Sequence, residues 1–233
     1  MSEFLKNPLF GLSLTLGVYV LSDKFLRKYK LPIINPLVLS IVVIIFFLHF
    51  TGISYADYNV GGNFLTMLIT PATVALAIPL YKNLHLLKEN FFPVISAILA
   101  GIVANCLVSV GIGSLFLLKK EMVISLLPKS VTTAISVDLS HTMGGVNAVT
   151  LAIVVSTGIF GSLIATHIFR LFKIKSPVAR GVALGSTSHA IGTAKAIEIG
   201  EVEGIISGLA ICVNGMLTVF LLPLIFQPFA SWF

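Results

Sequence analysis

The chain has 233 residues, of which 57% are hydrophobic and only 10% charged, with a net charge of +6 and a mean hydropathy of +1.04. A soluble domain carries about 25% charged residues, so the composition excludes a soluble domain and describes an all-α, polytopic membrane protein. The surplus of Lys and Arg then belongs to cytoplasmic loops, by the bias that orients membrane segments, and not to a nucleic-acid-binding surface.

Apolar runs fall at about 8–22, 31–50, 62–81, 91–118, 146–169 and 203–226. A bilayer-crossing helix needs about 20 residues, which leads us to expect seven to eight membrane segments once two polar-interrupted stretches between the last runs are included. No cleavable signal peptide is expected, so the first helix is retained. Pro32 and Pro36 suit an early helical turn, where a missing N–H costs least. Pro71 and Pro79 lie inside the third run and mark it as a broken helix, which a membrane tolerates where the freed backbone finds partners. We expect one membrane domain over 1–233. Its scaffold helices lie in 1–60, a first broken-helix unit in 62–118, and paired core repeats in 121–172 and 181–228.

Lys24, Arg27, Lys28 and Lys30 follow the first run and place that loop in the cytoplasm; Lys82 and Lys88 fall inside as well. Arg170, Lys173, Lys175 and Arg180 return to the inside only if 121–145 enters and leaves on the outer face. That makes 121–145 a candidate re-entrant hairpin.

The first polar stretch, Pro128 to Gly145, reads PKSVTTAISVDLSHTMGG; the second, Gly185 to Gly200, reads GSTSHAIGTAKAIEIG. Polar groups at membrane depth cost about 2.5–3.5 kcal/mol on insertion scales, so they face a cavity or a partner. Ser130 to Ile135 matches Ser186 to Ile191 as S-x-[ST]-x-A-I, and LAIVV at Leu151 to Val155 matches LAICV at Leu209 to Val213. A fainter copy begins at Pro71 and Thr73. One crossing helix between the two stronger copies makes them enter from opposite faces, the inverted-repeat plan of secondary transporters.

Ser130, Thr132, Thr133 and Ser136 crowd the first stretch, and Ser186, Thr187, Ser188, His189 and Thr193 the second. A half-helix starting near Ser130 or Ser186 would aim free N–H groups and a positive dipole end into the membrane, a setting for a carboxylate. The same hydroxyls could instead bond back to their own helices. Lys129 and Lys195 could supply positive charge or snorkel outward. Asp138 and His141 share a helix face and form either a proton-carrying pair or a self-neutralising one; Glu198 joins them as a candidate coupling group. Asn105 and Asn214 sit mid-helix at matching places and could bond a substrate or hold helices together. The expected binding set is thus Pro71, Thr73, Lys129, Ser130, Thr132, Thr133, Ser186, Thr187, Ser188, His189, Lys195 and Asn214. Cys106 and Cys212 read as packing residues. No HExxH motif or metal-ligand spacing occurs in the sequence, and neither enzymatic activity nor a cofactor is expected.

The runs VTTAISVDLSHTMGGVNAVTLAIVVSTGIFG (Val131–Gly161) and ARGVALGSTSHAIGTAKA (Ala179–Ala196) resemble the LrgB/CidB family of bacterial inner-membrane proteins over essentially the whole chain. The resemblance implies one of two functions. Bacterial members are described as antiholin- or holin-like modulators of murein hydrolase activity and autolysis, usually beside a small LrgA/CidA-type membrane partner. A plant relative translocates glycolate and glycerate, and some bacterial pairs are associated with pyruvate. The localised polar groups favour a secondary carrier of small monocarboxylates or 2-hydroxy acids, working as a homo-oligomer in the bacterial cytoplasmic membrane.

Overall fold

The computed structural model describes residues 7–29, 36–68, 71, 74–75, 77–82 and 84–233, and its secondary structure there is helical. The chain forms two compact units, Met1–Ala75 and Leu76–Phe233. In the first, α1 (Pro8–Tyr29), α2 (Pro36–Thr51) and α3 (Tyr55–Met67) pack together. Pro36 opens α2, as its missing N–H allows. Ser54 caps α3 by accepting from the Asp57 N–H at 3.1 Å. Helices α1 and α3 meet backbone to backbone at two glycines: a Cβ on Gly11 would lie 3.1 Å from the Gly61 Cα. Pro71 is helical and exposed, whereas Lys6, Lys30, Pro32 and Thr73 lie outside the described residues.

The second unit holds α4 (Ala77–Lys82), α5 (Leu84–Glu89), α6 (Phe91–Leu115), α7 (Lys120–Leu126), α8 (Thr133–Met143), α9 (Asn147–Leu171), α10 (Pro177–Ile199) and α11 (Glu201–Phe226). A 3-10 turn at Gln227–Phe229 follows. Of the broken helix expected in 62–81, α3 ends at Met67 and α4 begins at Ala77; the segment between them lies largely outside the described residues. Among the described residues, α1, α6, α9 and α11 are long and apolar enough to cross a bilayer. Four full-length helices are therefore shown; the expected seven or eight segments also counted shorter and re-entrant ones.

Three buried clusters fix the directions of these helices. Val94, Ile98 and Ile102 pack with Val182, Ile206, Leu209 and Val213. Further along α6, Cys106 and Val110 pack with Val123, Ile124, Leu127, Leu139, Leu222 and Phe226. Helices α6 and α11 therefore run parallel. On α9, Ala165 and Phe169 pack with Leu184 and Ala196, and α9 runs the other way.

Helix α10 is interrupted at His189, whose φ of 42° and ψ of −133° lie outside helical space, and its halves follow opposite courses. In the first half, Gly181 meets Glu203 and Ile206, Gly185 meets Ser207 and Ala210, and the Ser186 carbonyl meets Asn214. Both numbers rise together, so residues 177–188 run parallel to α11. In the second half, Thr193 bonds Ser207 at 2.8 Å and Ile197 abuts Gly204, so residues 190–199 run antiparallel to it. The chain folds back at His189, and Gly192 packs against Leu184 and Ser188 across the fold. Twelve helical residues reach about 18 Å, roughly half of a 30 Å hydrocarbon layer. Segment 177–199 is a hairpin whose mouth lies at the α9–α10 face.

Helices α7 and α8 form a second hairpin. Val123 packs on Gly113, Ser109 accepts from the Lys129 ammonium, and Asn105 donates to the Leu127 carbonyl, so α7 runs back along α6. At the far end of α8, Gly145 lies against Ile124 and Ser125, and the Val146 N–H donates to Ser125 Oγ at 2.7 Å. Gly144 ends α8 at φ 91°, with the Gly145 N–H on the Ser140 carbonyl at 2.7 Å, the glycine-dependent helix stop. The segment 121–145 enters and leaves at the α6–α7 face, as the charge distribution required.

Two predictions follow from this arrangement. Single cysteines replacing Ser176 and Glu201, in a background lacking Cys106 and Cys212, will react with a membrane-impermeant maleimide from one and the same face; labelling from opposite faces would contradict the hairpin. Gly185→Leu will lower the detergent-solubilised stability by about 1–3 kcal/mol, the usual cost of overpacking, read as a drop in thermal midpoint. Gly208→Ala, where a Cβ meets nothing within 4 Å, will leave it unchanged or raise it.

Candidate functional site

Breaking a helix frees backbone carbonyls and N–H groups, and in an apolar layer each needs a partner. The two hairpin tips meet at Asn214, near the middle of α11. Its amide Nδ2 donates to the Ser130 carbonyl at 3.0 Å and to the Ser186 carbonyl at 3.1 Å. One side chain thereby holds both tips, and Thr218 Oγ1 lies 3.4 Å from its Oδ1. Asn105, near the middle of α6, does the matching work for the first hairpin. Its Nδ2 donates to the Leu127 carbonyl at 2.6 Å, and its Oδ1 accepts from the Lys129 ammonium. For these two asparagines the helix-holding alternative is the one the geometry displays.

The first tip is closed by Ser136, whose hydroxyl donates to the Pro128 carbonyl at 2.6 Å. Thr132 occupies the N-cap of α8 without capping it, and its Oγ1 is buried without a hydrogen-bond partner. Such an orphan costs about 1–3 kcal/mol. Thr133 begins α8 and is half-buried. Lys129 turns from the tip toward α6, donating to Ser109 Oγ at 2.7 Å as well as to Asn105. It does not snorkel.

The second tip is seated in α9. The His189 ring nitrogen Nε2 pairs with the Val154 carbonyl at 3.1 Å, and the ring rests on Gly158, where a Cβ would come within 2.6 Å of Cε1. Ser188 fills the equivalent notch at Gly161. Ser186 and Thr187 bond back to the carbonyls of Val182 and Ala183, each at 2.7 Å, so their hydroxyls follow the self-bonding alternative.

Between the tips, Gly101, Asn105, Ser130, Val131, Ser186 and Asn214 line a small cavity of about 10 Å³, room for a single water. A groove of about 500 Å³ leads to it along α6 and the first half of α10, from Asn90 and Ser176 at the α9–α10 face to Gly101 and Ser186. The two spaces share Gly101 and Ser186.

The remaining expected residues lie elsewhere. Lys195 pairs with Glu198 at 2.8 Å, about two turns beyond the second tip. Asp138 and His141 are exposed on α8, and no ion pair joins them among the described residues. Arg180, read from sequence as a loop charge, instead donates to the Ile174 carbonyl at 2.8 Å and lies 3.6 Å from the buried Glu203. Sequence reasoning passed over Ser109 and Thr218, whereas Gly158 and Gly161 belong to the small residues that allow close helix packing, and here they receive the His189 ring and Ser188. Among the described residues, no group of three or more His, Cys, Asp or Glu could hold a metal ion.

The LrgB-like family model matches residues 15–228. The chain is 32% identical over 229 residues to holin-like protein CidB of Staphylococcus epidermidis, covering 98% of this chain and 100% of that protein. It is 31% identical to holin-like protein CidB of Staphylococcus aureus over 229 residues, with the same coverage of 98% and 100%. Against antiholin-like protein LrgB of Bacillus subtilis it is 34% identical over 226 residues, 97% of this chain and 98% of that one. No solved structure matches. The match to residues 15–228, with relatives aligned along nearly their full length, makes this chain a member of the LrgB-like family.

Proposed function

We propose that this chain acts as a multi-pass protein of the bacterial cytoplasmic membrane, of the holin-like or antiholin-like kind that its relatives' names describe, and modulates murein hydrolase activity and autolysis. The names of those relatives support this class. We further propose how the chain works: by passing a small solute through the junction of its two hairpins, beside a small LrgA/CidA-type partner. The proposed solute is a monocarboxylate or 2-hydroxy acid of the glycolate, glycerate, pyruvate or lactate type. No catalytic step is part of this proposal.

The observation that carries the solute reading is the meeting of both tips on Asn214, with a groove running up to a small cavity between them. A lined pore needs a continuous polar face along whole helices, whereas here the polar groups are gathered at two helix breaks near mid-depth. Helices α8 and the second half of α10 both begin at the tips, where α7 and the first half of α10 end, so free N–H groups and carbonyls of four helix ends meet there. The unpartnered Thr132 hydroxyl supplies a donor with nothing yet to bind. By the charge rule, the face onto which the groove opens is the cytoplasmic one.

The test is reconstitution into proteoliposomes with radiolabelled glycolate, glycerate, pyruvate and lactate, with and without the small partner. Saturable uptake of one acid is expected, reduced about tenfold or more in Thr132→Ala. That variant should keep or slightly gain thermal stability, because it removes an orphaned buried hydroxyl. Asn214→Leu should lose uptake and stability together, since two tip carbonyls lose their donor at about 1–3 kcal/mol each. Leakage of unrelated dyes without saturable uptake would overturn the carrier mechanism and leave a holin-like pore. Restoration of the autolysis rate in a deletion strain by wild type but not by Thr132→Ala would tie solute passage to the envelope phenotype.

A further inference from the structure

The Lys129 ammonium is a charge held within the apolar layer by neutral partners. It donates to Asn105 Oδ1 and, at 2.7 Å, to Ser109 Oγ. Among the described residues its third N–H has no acceptor, and no Asp or Glu pairs with it. Glu203, the buried acid of α11, lies against Arg180 instead. A cation in such a layer is costly until an anion joins it. Comparison of the two hairpins shows that this charge is not needed to hold a tip. Ser130 matches Ser186, so Gly185 stands in the place of Lys129, and a Cβ there would run into the Ser207 carbonyl. The supporting helices match as well: Asn105 and Ser109 on α6 have counterparts in Asn214 and Thr218 on α11, each pair four residues apart. In the second place no ammonium intervenes, and Thr218 Oγ1 lies 3.4 Å from Asn214 Oδ1. An asparagine holds each tip, and the first tip carries a charge besides.

The ammonium also stands in line with the groove. Gly101 is shared by groove and cavity, Asn105 lines the cavity, and Ser109 accepts from the ammonium. Four residues of helix advance about 6 Å, so groove, cavity and charge follow one another along α6. Pro128 and Ser130, on either side of Lys129, line the same cavity, and Asn105 touches both it and the ammonium. None of the residues lining the groove is charged, so nothing there offsets the pull of Lys129 on an anion, which apolar surroundings screen poorly. We propose that Lys129 is the anion-selecting residue of the junction: its ammonium is the counter-charge for the carboxylate of a small acid that reaches the tips from the groove, and a neutral solute of the same shape is not held. The assignment, which rests on the junction being the solute's path, makes carboxylate charge the first property selected there. Lysine suits the task, because a compact ammonium on a flexible stem can turn from Asn105 toward the entering group without moving the backbone.

The thermal midpoint of the full-length chain in detergent measures this, with sodium glycolate, lactate or pyruvate set against the corresponding amide at constant ionic strength. One of the acids should raise the wild-type midpoint saturably, and its amide should not. Lys129→Met keeps the length of the side chain without its charge. It should raise the half-saturating acid concentration about tenfold or more, as loss of a charged hydrogen bond implies. Lys129→Arg should recover part of the response. Ser109→Asp covers the case in which Lys129→Met does not fold: it leaves the lysine in place, gives it an internal carboxylate and should abolish the response to acid. Ser109→Asn should retain that response. A wild-type midpoint that no acid moves, an equal response to acid and amide, or an unchanged response in Lys129→Met or Ser109→Asp would each overturn the assignment. Uptake into proteoliposomes by the same variants separates it from the solute reading. Acid binding that needs Lys129 without any uptake would keep the charge assigned and remove the carrier; saturable uptake unaltered by Lys129→Met would do the reverse.

Discussion

Every helix broken inside an apolar layer leaves carbonyls and N–H groups that water cannot reach, and the architecture of this chain answers that constraint. Two asparagines near the middle of unbroken helices supply the missing donors. Asn214 reaches both hairpin tips through one amide, and Asn105 holds the carbonyl of Leu127 while accepting from Lys129. Since each lies on a full-length helix packed in a buried cluster, the tips are fixed to the rigid part of the fold. The polar interior is therefore small and local, and the surfaces around it can remain apolar.

That arrangement explains why the site is compact yet accessible. Small residues along the first half of α10 allow its backbone to approach α11: Gly181 and Gly185 face Glu203, Ile206, Ser207 and Ala210 with no room for a Cβ. On α9 two further glycines receive Ser188 and the His189 ring. The hairpin is thus clasped from both sides, while its remaining face and α6 leave the groove that runs toward the tips.

Much of this was legible in the residues. Composition gave the membrane class, and the S-x-[ST]-x-A-I repeat runs through both helix breaks, at Thr132 and His189, although the half-helices expected near Ser130 and Ser186 begin two to four residues later. The distribution of Lys and Arg favoured a hairpin over 121–145, and α7 and α8 fold back on each other there. What the pattern could not separate was a hydroxyl left without a partner from one that bonds its own helix. Ser186 and Thr187 bond their own helix, Thr132 bonds nothing, and in sequence the three look alike. Similarly, Lys129 reads as a free charge until α6 brings Ser109 and Asn105 to it across some 20 residues of chain.

The sequence by itself determined the class of solvent each segment meets, the places where helices stop, and the family. Those properties depend on hydrophobicity and on local backbone preference, which act within a few residues. Only the tertiary structure decided that α10 doubles back at His189, that both tips share Asn214, and that Lys195–Glu198 closes while Asp138–His141 stays open. Each of these depends on which distant groups come within hydrogen-bonding reach once apolar faces have packed, and residue spacing along the chain does not encode that.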